Sequence, residues 1–252
     1  MQVKQFFSVP KELDFPRSNE DFFYINDKGD SCALSDGASE SYDSKSWAKI
    51  LCCNFSKQSK RKLIGKFFNT KQLRKLLNVS RSEFHNLFAN RTLSWSQQAA
   101  FKRGSFASLL GVIDHGRSLE ILSIGDSLAL WQSQNKTVNT HLLSEVSEFD
   151  KSPLLISTNE KEEELFLKKE NLIRHSIKIK KNDIHDDSLY LMTDAVGKVV
   201  LKFIKEKNIS YALKILKTNE AEFKQWVISA RSKKQIKTDD TTKIWIKTNE
   251  TP

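Results

Sequence analysis

Asn19-Glu20-Asp21 leads into Phe22-Phe23-Tyr24-Ile25, the chain turns through Asp27-Lys28-Gly29-Asp30, and Cys32-Ala33-Leu34-Ser35 runs out into Asp36-Gly37. Two short apolar runs on either side of a tetrapeptide rich in Asp and Gly read as an antiparallel hairpin, because these residues accept the backbone angles of a tight turn. Folding the hairpin about the centre of the tetrapeptide sets Asp21 roughly opposite Asp36. Both acids then lie at its open end.

The arrangement recurs along the chain. Gly125-Asp126-Ser127 follows Ile121-Leu122-Ser123-Ile124, Asp194 follows Leu189-Tyr190-Leu191-Met192, and Asp239-Asp240 precedes Thr242 to Ile246. In an antiparallel sheet the end of one strand lies beside the start of its neighbour, so acids that close some strands and open others can collect at one edge. A single Asp-Gly is more often a turn than a ligand. Acidic sites that flank one apolar run after another are harder to assign to turn chemistry alone. Converging carboxylates raise one another's pKa and cannot all stay ionised without a cation. Oxygen donors with room for water favour Mg2+ or Mn2+, and a pair of such ions bridged by one aspartate would activate hydroxide for attack on phosphorus.

Further apolar runs at Phe106 to Ile113, Leu119 to Ile124, Ala129 to Gln132, Ser176 to Ile179, Ser188 to Met192 and Thr242 to Ile246 read as strands. Between them, helical periodicity covers Lys45 to Phe55, Thr70 to Leu77, Arg81 to Phe88, Ser96 to Arg103, Val196 to Lys207 and Ala221 to Ser232. Asn159 to Asn171 is charged throughout and is expected as a surface helix or flap. Strands near both ends of the chain with helices interposed indicate an α+β fold of antiparallel sheets covered by helices, not a parallel βαβ array. The 252 residues contain no repeat and no linker, and only 8 Gly and 4 Pro, so residues 1–252 read as one domain.

Composition removes several function classes. Met1 to Pro16 lacks the apolar core of a signal peptide, and runs such as Leu109 to Ile113 fall far short of the roughly 18 residues that span a bilayer, so no membrane association is expected. Cys32, Cys52 and Cys53 are odd in number and two are adjacent, which suits a reducing cytoplasm; no Cys-x5-Arg phosphate cradle accompanies them. The histidines show no zinc-binding spacing. A net charge of +10 suits nucleic acid or acidic, phosphorylated partners. The basic runs Lys57 to Lys66, Lys178 to Lys181 and Lys233 to Lys237 read as solvated faces without interleaved aromatics, which disfavours nucleic acid.

Arg17-Ser18-Asn19-Glu20-Asp21, Ala33-Leu34-Ser35-Asp36-Gly37-Ala38, Ser123-Ile124-Gly125-Asp126-Ser127, Leu189-Tyr190-Leu191-Met192-Thr193-Asp194 and Thr238-Asp239-Asp240-Thr241-Thr242 follow one another across most of the chain. In order and approximate spacing they resemble the motifs of the metal-dependent protein phosphatases of the 2C family. The resemblance implies a four-layer α/β/β/α sandwich of two mostly antiparallel sheets flanked by helices. It also implies a serine/threonine phosphoprotein phosphatase, acting as a monomer on a phosphorylated protein by single-step hydrolysis, with hydroxide held between two Mn2+ or Mg2+ ions.

Carried over by position, the resemblance has Asp36 bridging the ions with the Gly37 carbonyl on one, and Asp194 and Asp239 completing the other. Glu20 and Asp21 act through water, Asp126 and Asp240 lie beyond the two-ion core or at a third ion, and Arg17 holds the substrate phosphate. The sequence departs from the pattern at Ala38, where animal members carry a histidine, at Ala195 in place of glycine, and at Leu128 in place of arginine. Lys198 stands where a further acid is common. The alternative is a phosphatase-like domain, weak or inactive, that binds phosphoproteins or a regulatory partner through the same edge.

Overall fold

A computed structural model describes residues 1–59, 69–159 and 167–249. Its strands form two five-stranded sheets. One runs in the order β1 (Gln2–Val9), β12 (Thr241–Lys247), β11 (Ile184–Met192), β7 (Leu128–Ser133), β8 (Val138–His141). The other runs β10 (Ser176–Lys180), β6 (Ser118–Ile124), β5 (Leu109–Asp114), β3 (Ser31–Ser35), β2 (Phe22–Ile25). Every pairing in both is antiparallel. A short ladder joins β4 (Phe106–Ala107) to β9 (Ile156–Ser157).

Side-chain alternation stacks these sheets, because successive residues of a strand point to opposite faces. Cys32 and Leu34 of β3, Leu119 and Ile121 of β6, Ala129 and Trp131 of β7, and Leu189 and Leu191 of β11 share one core between the sheets. Their neighbours point outward: Ala33, Leu122 and Ile124 into a core with α1 (Ser44–Ser59) and α2 (Thr70–Phe88), and Leu128, Leu130, Tyr190 and Met192 into another. That second outer core is closed by α5 (Asp194–Lys205), α6 (Ile209–Lys217) and α7 (Glu220–Ser232), through Val196, Val200, Ala212, Ile215, Leu216, Phe223 and Val227. The result is the α/β/β/α sandwich expected from the sequence. At one contact the packing depends on a missing side chain: a Cβ on Gly111 of β5 would lie 2.2 Å from the Phe55 ring of α1.

Asn69, Ser94 and Asn219 each cap a helix with a reciprocal bond from the residue three positions on, at α2, α3 (Trp95–Arg103) and α7. Where two helices were expected between Thr70 and Phe88, α2 is continuous: Ser80 is buried and its hydroxyl accepts from Asn54. The expected strand Phe106 to Ile113 breaks at Ser108, whose N–H donates to the Asp36 carbonyl. β1, β8 and α6 were not foreseen. In β1 the alternation is hidden by a register shift between Val3 and Gln5. The expected flap over Asn159 to Asn171 lies in part outside the described residues, as does the basic run to Lys66. The end of that flap opens α4 (Lys169–His175). No described helix is long and apolar enough to cross a membrane.

Candidate functional site

Strand register carries the acids to one edge. Phe22 pairs with Ser35 and Ile25 with Cys32, so the next step of the ladder sets Asp21 opposite Asp36, as the hairpin reading required. Met192 pairs with Leu128, and the same register continued past the strand ends brings Asp194 beside Asp126. Ser108 follows from the pairing of Leu34 with Leu110: its N–H donates to the Asp36 carbonyl at 2.9 Å and its hydroxyl accepts from the Asp36 N–H at 3.0 Å. A second hydroxyl, on Ser127, meets Ser108 Oγ at 2.9 Å and so ties the Gly125 turn to the same backbone. Asp36 is thereby held on both sides.

The charges report how tightly the acids gather. Burial pushes the Asp36 carboxyl well above the usual carboxylate range, and Asp21, Asp194, Asp126 and Asp239 push it further. Asp21 is raised in the same way, first by burial and then by Asp240 and Asp194, against hydrogen bonds from Thr242 and Thr193. Burial and the neighbouring Asp194 lift Asp126 to about 6. Asp194 is raised by burial and by Asp239, with Lys237 opposing. Asp21, Asp36, Asp126, Asp194 and Asp239 thus form one mutually repelling group.

Asp21 has two unequal oxygens. Its Oδ2 accepts from Thr242 Oγ1 at 2.5 Å and from Thr193 Oγ1 at 3.2 Å, while its Oδ1 is buried without a hydrogen-bond partner among the described residues. An orphaned buried carboxylate oxygen is costly and points to a ligand. Across the site, Lys237 Nζ lies 2.5 Å from Asp239 and 3.6 Å from Asp194. Burial pulls its pKa down, but the two carboxylates outweigh that and hold the ammonium above its ordinary range.

The other expected residues surround this group. Glu20 accepts from Lys11 Nζ at 3.3 Å and from the Ser39 and Ser44 hydroxyls. Asp240 spends both oxygens on backbone, accepting from the N–H groups of Lys11 and Glu20 at 2.7 Å each, so it anchors Glu20. A Cβ on Gly37 would lie 2.9 Å from the Ser44 backbone carbon, which only glycine avoids at the start of α1. Arg17 is exposed on the 3-10 turn Pro16–Ser18; its carbonyl accepts from Lys45 Nζ at 2.5 Å, and its guanidinium has no partner among the described residues. Ala195 keeps a negative φ, as the loss of glycine there requires. Lys198 pairs with Asp150.

Sequence reasoning missed Ser108, Ser127, Thr193, Thr242 and Lys237. The threonines are placed by the register that pairs Met192 with Lys243, which continues to Thr193 and Thr242; without that register nothing in the sequence marked them. Cys52 is buried and donates to the Phe22 carbonyl, and burial pushes its thiol well up and that of Cys32 to about 12, so neither is a nucleophile.

Among the described residues, no group of three or more His, Cys, Asp or Glu side chains is arranged as it stands to hold an ion. The donor chemistry nevertheless fits hard divalent cations: the donors are all oxygen, they repel one another, and one is buried and unpartnered.

A family model described as protein phosphatase 2C matches residues 17–228. No curated protein matches the chain. Among solved structures, a bacterial serine phosphatase shares 14% identity over 100% of both chains with a TM-score of 0.61. Serine/threonine phosphatase Stp1 from Staphylococcus aureus shares 14% identity over 97% of this chain and 94% of its own, with a TM-score of 0.56. The catalytic domain of the serine/threonine protein phosphatase PstP, solved with 2 manganese ions, shares 14% identity over 96% of this chain and 97% of its own, with a TM-score of 0.55. At these identities the structures speak to the fold, and the family match spans most of the chain. The acid motifs at Asp21, Asp36, Asp126 and Asp194 lie inside the matched residues, and with them the chain belongs to the protein phosphatase 2C family.

Proposed function

We propose that this chain is a metal-dependent serine/threonine phosphoprotein phosphatase whose acid edge holds two divalent cations, Mn2+ or Mg2+, with residues 1–252 acting as one catalytic domain. The observation that carries the reading is the gathering of Asp21, Asp36, Asp126 and Asp194, each raised by burial and by its neighbours, with Asp239 beside them and an Asp21 oxygen that has no partner among the described residues.

Asp36, Asp194 and Asp239, with the Gly37 carbonyl, are the residues to hold the ions directly, while Glu20 and Asp21 reach them through water. Asp126 and Asp240 lie beyond the two-ion set or at a third ion. When bound, the ions supply positive charge for the phosphoryl oxygens and acidify water for in-line attack. The chain's own groups set the geometry. Ser108 fixes the Asp36 backbone, Thr193 and Thr242 aim Asp21, and Gly37 lets the end of β3 pass close under α1. Arg17 is the residue to grip the phosphate, because its planar fork matches two phosphoryl oxygens and no described residue engages it. Ala38 carries no proton, so the leaving serine or threonine oxygen takes its proton from water.

The test is hydrolysis of p-nitrophenyl phosphate with added Mn2+. Turnover that depends on Mn2+ and falls at least about 100-fold in Asp36→Asn supports the reading. The second reading, a family member that binds phosphoproteins without turnover, is favoured by the Lys237 ammonium lying across Asp194 and Asp239. It requires phosphopeptide binding with no turnover at any Mn2+ concentration.

A further inference from the structure

Beside Asp194 a cleft of about 740 Å³ opens between α5, the 3-10 turn Val146–Asp150 and the loop that follows α7. Its walls are unusually basic. Lys198, Lys202, Arg231, Lys234 and Lys237 line it against only Asp150 and Asp194. Two of these cations are already offset, Lys198 by Asp150 and Lys237 by Asp194 and Asp239. Arg231 spends its two terminal nitrogens on the carbonyls of Val9, Pro10 and Asp239 and on the Thr241 hydroxyl, and its Nε is buried without a partner among the described residues. Lys202 has only an exposed contact of 3.9 Å with Glu206, which is worth little in water, and Lys234 has no ion pair among the described residues. The lysines rise from an apolar floor that includes the buried Val199 and Ile236.

From this cleft we infer the substrate class of the proposed site: a phosphopeptide with acidic residues flanking the phosphoserine or phosphothreonine. The inference rests on the phosphatase reading for the position of the phosphate, and on the cleft alone for the flanking charge. Asp194, Lys198 and Lys202 are spaced at successive turns of one face of α5. At 1.5 Å of rise per residue Lys202 lies about 12 Å along the helix from the acid edge. An extended peptide advances about 3.3 Å per residue, so Lys202 meets a side chain about three or four positions from the phosphorylated residue. Lys234, across the cleft, faces the same stretch of peptide. Acidic side chains there gain from the uncompensated charge, and an alternating apolar residue can rest on the floor.

The test compares synthetic phosphoserine peptides carrying Glu, Ala or Lys at the third and fourth positions on either side. On Mn2+-loaded protein we expect kcat/KM for the Glu peptide to exceed that for the Ala peptide at least about tenfold, with the difference shrinking as salt is raised. In the Lys202→Glu, Lys234→Glu double variant the ratio of Glu to Ala peptide falls to one or below, with p-nitrophenyl phosphate turnover as the common reference. Equal kcat/KM for the Glu and Ala peptides, or a ratio unchanged in the double variant, overturns the inference even where p-nitrophenyl phosphate is hydrolysed. If nothing is hydrolysed, the phosphatase reading fails separately, and fluorescence anisotropy with the labelled peptides decides. Preferential binding of the Glu peptide that the double variant loses upholds the cleft. Equal binding of the peptides, or tighter binding of an oligonucleotide of the same charge, overturns it.

Discussion

Lys237 is the side chain whose position says most about the site. Its ammonium stands between Asp194 and Asp239, the pair expected to share a divalent ion, and two cations cannot occupy that space together at low cost. Replacing the ammonium with a neutral amide removes that competition. Lys237→Gln is therefore expected to tighten Mn2+ binding by about tenfold in a calorimetric titration, a difference of about 1.4 kcal/mol; unchanged affinity would mean that the lysine swings clear at no cost. The acids themselves were legible in the sequence because each sits at the end of an apolar run. Lys237, Ser108 and the threonines were not, because a lysine in a basic loop or a hydroxyl at a strand end carries no signal until register brings it beside Asp36 or Asp21.

Among the elements, α6 and β12 are joined by a buried charge. Lys243 of β12 donates from Nζ to the carbonyls of Ile215, Leu216 and Thr218 and to the Thr218 hydroxyl, all within 3.0 Å, and lies 4.7 Å from the centre of the Phe223 ring. These carbonyls close the last turn of α6, where a cation also complements the helix dipole. Burial pulls the Lys243 pKa down to about 7, so the amine is fully charged only below neutral pH, and the oxygens and the aromatic ring offset only part of the cost of burying it. Lys243→Met keeps most of the length of the side chain and strands the carbonyls. It is expected to destabilise the fold by about 3 kcal/mol in urea unfolding, and a change below about 0.5 kcal/mol would show that water satisfies them. Neither α6 nor β1 was legible. β1 carries a bulge that breaks its alternation, and α6 is a short apolar run whose helical face is recognised only once Ala212, Ile215 and Leu216 meet the sheet. The hairpin of β2 and β3 was legible down to its register, since its turn residues and its apolar runs agree.

For the molecule as a whole, the acid edge ties stability to pH and to metal. Asp126 goes from an ordinary 3.8 to about 6 in the folded chain, and Asp21, Asp36 and Asp194 are raised as well. Between 3.8 and about 6 the native Asp126 keeps a proton that the unfolded chain has released, so its contribution to stability falls as pH rises through that window, and the other raised acids act in the same direction. A cation that binds only the folded, ionised acids restores it. Added Mn2+ is accordingly expected to raise Tm by several degrees at about pH 7.5 and by much less at about pH 4.5, where Asp126 is largely protonated and protons compete more strongly for the site. An equal rise at both would show that the ion binds elsewhere.

The most direct measurement is a calorimetric titration of the unmodified chain and of Asp36→Asn with Mn2+ at neutral pH. The account predicts two ions bound per chain, with the bridging variant losing at least one of them and weakening the other. No binding to the unmodified chain, or the same stoichiometry and affinity in Asp36→Asn, would contradict it.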